Sequence, residues 1–463
     1  MAQHKTNVRE NRRIAPDEVH DLLAGHLIAD GLGLVLDLER SSGSWLVDAR
    51  TGQRYLDLYT FFASAPLGLN HPQLVDDPAF LAELARVAVT KPANPDVYTT
   101  AYAEFVSAFV RVLGDPALPH LFFVEGGALA VENALKVAFD WKSRLNEASG
   151  RDRRLGGKIL HLTSAFHGRS GYTLSLTNTE PGKTDRFPTF DWPRIDAPAI
   201  KFPLRDHLEE VVAAEQRALA QARRAFEKHP HDIAAFVAEP IQGEGGDHHF
   251  RAEFFAQMIE LVHSYDALFL FDEVQTGGGT TGTPWAYQQL GIIPDVVAFA
   301  KKVQVGGIMA GGRVDEVPDH VFAVPGRINS TWGGGLVDMV RSRRILEIVE
   351  SEGLIEAAAK QGSYFLTGLE ALSDVLVGPT GEAVLSQPRG RGLMIAVDLP
   401  SREIRDAVLT DLRLREHVLA LGCGARALRF RPALSVRQDE IDEALAALNR
   451  SVTRITSSPR ENR

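Results

Sequence analysis

The sequence predicts an α/β fold, a large mostly parallel sheet covered by helices with a smaller α+β part attached to it. Three observations support this. Between about residues 118 and 310, short apolar runs rich in β-branched or aromatic residues alternate with helical stretches. The runs are almost continuously apolar, as suits strands buried on both faces. The chain is also long enough, at 463 residues with 44% hydrophobic and 24% charged, for two or three domains around sizeable cores.

In chain order, a polar start (MAQHKTNVRENRR) leads to a hairpin-like segment, SWLVDARTGQRYLDL. The strand candidates follow: HLFFV (120–124), KILHLT (158–163), IAAFVAE (233–239), ALFLFDE (267–273) and DVVAFAK (295–301). What comes after each is chemically loaded: EGGA, SAFHGR, PIQGEGG, EVQTGGG, and the pair Lys301 and Lys302. In such sheets ligands gather beyond the carboxyl ends of the strands, so these segments are where a site is expected. Residues 81–335 read as the large domain and 336–463 as a second one. The latter opens on a long helical pattern after Gly335, carries a strand at GLMIAVDL and closes on a helix from Asp439.

Several function classes are excluded. A net charge of -10 with scattered Lys and Arg offers no footprint for nucleic acid. No run approaches the roughly 20 apolar residues of a membrane span, and no secretory leader is visible. The one cysteine, Cys423, cannot form an internal disulfide and nothing supports it as a catalytic thiol. A soluble, cytoplasmic protein is expected, with no metal site.

Four constellations carry chemistry. Glu125-Gly126-Gly127-Ala128 feeds a helix on which Ala134, Val137, Ala138 and Trp141 recur at helical spacing. The unpaired N–H groups and dipole of such a helix start suit a phosphate, although glycine there also serves a plain tight turn. Asp272 ends an apolar strand, where it either caps a turn or meets a protonated heterocyclic nitrogen. Lys301 follows 29 residues later, one strand-helix-strand crossover away, at an adjacent strand end. A desolvated lysine there can form an imine and move a proton. Lys302 competes with it, and spacing alone leaves open which of the two enters a site or whether either is simply solvated. In Phe166-His167-Gly168-Arg169 the ring could stack on a flat cofactor and the guanidinium could grip a carboxylate, against plainer readings as core and surface residues.

Taken together, AEPIQGEGG, FDEVQTGGGTTG and PDVVAFAKK resemble the fold-type I, class III aminotransferases that depend on pyridoxal 5'-phosphate (PLP), and the likeness runs over about residues 37–441. Within that class, EGGALAVENALKVAFDWKSR, AFHGRSGYTLSLTNT, FDWPRIDAP and INSTWGG resemble the lysine 6-aminotransferases most. The resemblance implies a seven-stranded-type large α/β/α domain, with residues 1–80 contributing to the small domain. It selects Lys301 for the Schiff base and places Asp272 at the pyridine nitrogen, Gln275 at the ring hydroxyl, Phe166 over the ring, and Gly127 and Ala128 at the phosphate. Ser330 and Thr331 would reach the cofactor phosphate of a neighbouring subunit in a homodimer with shared sites.

The same resemblance assigns substrate binding to Arg169, Glu244, Asn329 and Arg429, with L-lysine and 2-oxoglutarate as substrates. The chain departs from commoner class members where Glu125-Gly126-Gly127 replaces a serine-containing turn and Thr280 replaces an arginine. Both departures weaken a reading as ornithine or 4-aminobutyrate aminotransferase. Other ω-amine or diamine donors, a racemase or mutase of the same class, and a non-catalytic binding protein remain as alternatives.

Overall fold

The computed structural model describes residues 13–377 and 383–457; most of the polar N-terminal stretch, residues 1–12, lies outside them. A seven-stranded sheet forms the centre of the molecule. Its spatial order is 120–124, 306–310, 296–299, 268–272, 233–238, 158–162 and 194–195. All the pairings are parallel except those of Gly306–Ala310, which runs against both of its neighbours. That strand, GGIMA, is absent from the sequence reading because its two glycines mask the apolar pattern. The glycines are needed: a Cβ at Gly306 would lie 2.6 Å from the Gly126 carbonyl oxygen.

Alternation explains why the sheet is buried on both faces. Phe269, Phe271, Val297 and Phe299 pack into one apolar layer, with Phe105, Phe109 and Trp285. Leu268, Leu270, Val296 and Ala298 point to the other, where Ala134, Val137, Ala138 and Trp141 of the Gly127–Ala148 helix cover them.

A second core gathers residues from both ends of the chain. Leu56, Leu58 and Leu67 pack with Ile345, Phe365, Val397, Leu428 and Leu448. The hairpin of Trp45–Val47 and Arg54–Asp57 is extended by Val418–Leu419, and a four-stranded antiparallel sheet stands beside it. That sheet contains Met394–Asp398 and Ala427–Phe430, so Arg429 rides on a rigid strand. The closing helix spans Gln438–Ser457, and none of the described helices is long and apolar enough to cross a membrane.

Candidate active site

The strand ends of the large sheet surround a cavity of about 480 Å³, in the size range of small-molecule sites. Gly127, Ala128, Phe166, Glu244, Asp272, Gln275 and Lys301 line it together with His167, Glu239, Gln304 and Ser64. Residues scattered over the sequence thus meet at one point, because all of them but Ser64 come after strands of the same sheet.

The helix start forms one wall. Gly126, with φ +89°, turns the chain into the helix, and Ala130 N–H is the first to reach a helical carbonyl, Gly126 O at 3.1 Å. The N–H groups before it have no acceptor within the helix. A Cβ at Gly127 would stand 2.8 Å from Val274 Cγ1, so the helix approaches the neighbouring strand end as closely as only glycine permits.

Opposite lies Asp272, 5% exposed. Its Oδ1 accepts from Val274 N–H (3.0 Å) and its Oδ2 from His167 Nδ1 (2.8 Å). Burial opposes charge on His167, but the bond to Asp272 and the fields of Asp272 and Glu239 raise its pKa above the ordinary value. Glu239 is buried, which pushes its carboxyl up to about 7 against the pull of His167. It receives Phe166 N–H (3.0 Å) and Gly243 N–H (3.2 Å), tying the aromatic wall to the turn that carries Glu244.

Lys301 sits just beyond its strand, in a short 3-10 turn, with φ +49°. The expected crossover from Asp272 is present, though its helix is the single turn Tyr287–Leu290. Because the chain bends left-handed at Lys301, simple strand alternation does not apply to the lysine pair. Lys301 lines the cavity, whereas Lys302 is 4% exposed, in the core, and its Nζ has no hydrogen-bond partner. The reading of Lys302 as a solvated surface residue is corrected accordingly. Burial, then the positive charge of Arg429, lowers the Lys301 amine to about 8 despite the opposing field of Asp272.

The mouth is built from charges. Glu244 Oε2 accepts from Arg429 Nη2 (2.6 Å), and its Oε1 accepts from Lys183 Nζ (2.6 Å). Burial works against the carboxylate, but Arg429 and Lys183 together hold its pKa below the usual range. Gln275 Oε1 accepts from Arg431 Nε (3.1 Å) and, more weakly, Arg429 Nη1 (3.4 Å). Arg431 itself pairs with buried Asp247.

Other expected residues lie apart. Arg169 is exposed, its guanidinium carbon 5.9 Å from the centre of the Phe166 ring, and is not among the lining residues. Asn329 and Thr331 are exposed and Ser330 is half-buried, all outside this chain's own cavity lining. Cys423 is buried, which pushes its thiol up to about 12 and makes it a poor nucleophile.

Sequence reasoning missed Glu239, Lys183, Arg431, Gln304 and Ser64, and gave His167 no role. Glu239 and His167 follow strands and fall under the same strand-end rule. Lys183, in the turn Pro181–Lys183, carries no sequence signal. Nor does the left-handed turn leading to Ser64, where Thr60, Phe61, Phe62 and Ala63 have φ of 43°, 52°, 58° and 68°.

The donor set suits a flat, phosphorylated heteroaromatic aldehyde. Backbone donors stand at a helix start, a ring at one wall, a carboxylate in the floor and a lysine amine beside it. The family profile described as aminotransferase class-III matches residues 29–452. The L-lysine-epsilon aminotransferase of Mycobacterium tuberculosis (strain ATCC 25618 / H37Rv) is 60% identical over 447 residues, 96% of this chain and 97% of its own. That of Streptomyces clavuligerus is 57% identical over 442 residues, 95% of each. The solved lysine aminotransferase from M. tuberculosis in the internal aldimine form is similar at a TM-score of 0.93 and 60% identity, covering 96% of this chain and 100% of that one. The chain belongs to the class-III aminotransferases, and its cofactor is pyridoxal 5'-phosphate.

Proposed function

We propose that this chain transfers the ε-amino group of L-lysine to 2-oxoglutarate, yielding 2-aminoadipate 6-semialdehyde, which cyclises on its own α-amine, and glutamate. Water enters when the aldehyde is released and leaves when the keto acid takes up the amine, so the two halves balance. The observation that carries this reading is the 2.6 Å pair of Glu244 and Arg429 at the mouth of a PLP cavity. One pocket must accept a lysine chain with its carboxylate far from the reacting amine, and then a keto acid with a carboxylate next to the reacting carbon. A cation neutralised for the first substrate and released for the second solves that conflict. The 57–60% identity to proteins named L-lysine-epsilon aminotransferase supports the substrate.

The residue roles follow. Gly127 and Ala128 hold the phosphate on backbone N–H groups, and Phe166 covers the ring. Asp272, oriented by His167, keeps the ring nitrogen protonated. Gln275, its oxygen committed to the arginines, has its amide nitrogen to offer the ring hydroxyl. When bound, PLP supplies an aldehyde carbon that receives the amine and a protonated ring that draws electrons from the reacting carbon. Lys301 Nζ, its pKa lowered to about 8, would take the proton from the lysine ε-carbon and give one back, serving as base and then acid.

Arg169 anchors the lysine α-carboxylate and the distal carboxylate of 2-oxoglutarate. Arg429, once Glu244 turns aside, grips the carboxylate beside the reacting carbon, with Asn329 assisting substrate binding. Ser330 and Thr331 serve the phosphate in the partner subunit's site, which makes a homodimer the active form; their position outside this chain's own cavity supports that. The single buried cysteine supports a cytoplasmic location.

Purified protein incubated with lysine and 2-oxoglutarate should form glutamate and a cyclic imine that an aldehyde reagent traps. Faster turnover of ornithine, 4-aminobutyrate or a diamine in the same panel would reject lysine as the donor.

A further inference from the structure

Glu244 is held by two cations, and only one of them has a place in the reaction so far. Its carboxylate is split: Oε2 belongs to Arg429 and Oε1 to Lys183, each at 2.6 Å. Lys183 is not a casual surface contact. Its side chain is 11% exposed, Thr179 Oγ1 accepts from its Nζ at 3.2 Å, and the ammonium stands 5.4 Å from the centre of the Phe166 ring. A second carboxylate, Glu180, lies 3.7 Å away and is shared with Arg402 at 3.5 Å. The charges therefore form a chain from Arg402 through Glu180, Lys183 and Glu244 to Arg429.

We infer that Lys183 is a specificity-determining residue: it retains Glu244 when that carboxylate leaves Arg429, and so opens Arg429 to keto acids. This deepens the lysine and 2-oxoglutarate reading and rests on it. The argument is one of charge accounting in a confined space. With lysine bound, the Glu244–Arg429 pair is closed and Lys183 adds a second contact. With a keto acid bound, the substrate carboxylate occupies Arg429, and Glu244 must hold its negative charge elsewhere.

Lys183 is already bonded to the carboxylate oxygen that Arg429 does not use. A rotation that breaks the Oε2 contact can keep the Oε1 contact, so the departing carboxylate is never left unpaired at the cavity wall. The backbone beside it is closely packed, a Cβ at Gly243 lying 2.3 Å from Gln275 Oε1 and one at Gly245 2.1 Å from the Ser164 carbonyl oxygen, so the change is one of side-chain rotation alone. Removing Lys183 should destabilise the open arrangement more than the closed one.

The test uses full-length holoenzyme as wild type, Lys183→Met and Lys183→Arg. Methionine keeps the length and apolar stem without charge, and arginine restores a cation. The first readout is calorimetric binding of glutarate, an unreactive dicarboxylate that needs both arginines. The second is each half-reaction in single turnover. In Lys183→Met, glutarate affinity and the KM for 2-oxoglutarate should each worsen at least tenfold. The lysine half-reaction should stay within about twofold of wild type, and Lys183→Arg should recover most of the keto-acid side.

Equal slowing of both half-reactions, no change in either, or tighter glutarate binding in Lys183→Met would each overturn the inference. The last would mean that Lys183 clamps Glu244 closed instead. If wild type itself fails to transaminate lysine, the functional reading above falls, and the glutarate titration still reports on Lys183 by itself.

Discussion

The floor of the cavity and its mouth are held by different physics. Asp272, Lys301 and the start of the Gly127–Ala148 helix are fixed by neighbouring strands of a sheet packed on both faces, so their spacing follows from backbone pairing. The mouth depends on side-chain ion pairs between distant segments: Glu244 and Arg429 are 185 residues apart in sequence, and Lys183 and Glu244 are 61. A pleated sheet sets positions to fractions of an ångström and does not exchange partners. Ion pairs can be exchanged one for another. Under the proposed function, the chemistry common to every substrate sits on the first, and discrimination between substrates on the second.

The largest test of that contrast lies within the floor. Lys301→Ala should lower kcat by roughly a thousandfold or more, since both the covalent attachment and the proton carrier go. Borohydride reduction and peptide mapping of wild type should put the cofactor label on Lys301. Lys302→Met, one residue away, should leave kcat within a few-fold and raise unfolding free energy by about 1–3 kcal/mol, because it removes a buried amine without a partner. Denaturant melts decide the second point, and a loss of activity to match Lys301→Ala would erase the distinction between the two lysines.

Next in size, Asp272→Asn should cost about a hundredfold in kcat, with the cofactor still bound. Its partner His167 would lose a charge-assisted bond. Retained full activity would show that the floor carboxylate is a turn cap and nothing more.

At the mouth the effects should be smaller and selective. Glu244→Ala should slow the lysine half-reaction about tenfold more than the 2-oxoglutarate half-reaction, because Arg429 then faces lysine without a counter-charge. Stopped-flow spectra of the two half-reactions measure this, and equal slowing contradicts it.

The smallest expected effect is one of pH. Burial and Arg429 lower Lys301 from 10.5 to about 8, and only the unprotonated amine adds to an aldehyde. The rate at which apoprotein captures PLP should therefore rise with pH and level off above about 8. A midpoint near 10 would mean that the amine is solvated in the apoprotein.

The same contrast explains what could be read in advance. Lys301, Asp272 and the glycines before the Gly127–Ala148 helix were visible because each follows an apolar run, and a buried sheet forces run ends together. The antiparallel GGIMA strand was not, since glycine required by a close backbone approach leaves no hydrophobic mark. Lys183 and Arg431 were invisible for another reason: a charge pair is written in no local pattern and exists only after distant loops have packed. The choice between Lys301 and Lys302 fell in between. Resemblance selected the first, and the left-handed bend at Lys301 gives the reason that strand alternation could not.

The protonated, inaccessible Cys423 has a practical consequence. A maleimide dye offered to the folded protein should find almost nothing to react with. A cysteine introduced on the exposed turn near Glu180, or beside Arg402, would then be the main attachment point, without first removing a native thiol. Fluorescence from such a reporter could follow movements at the mouth during turnover, in a background that is chemically silent from the start.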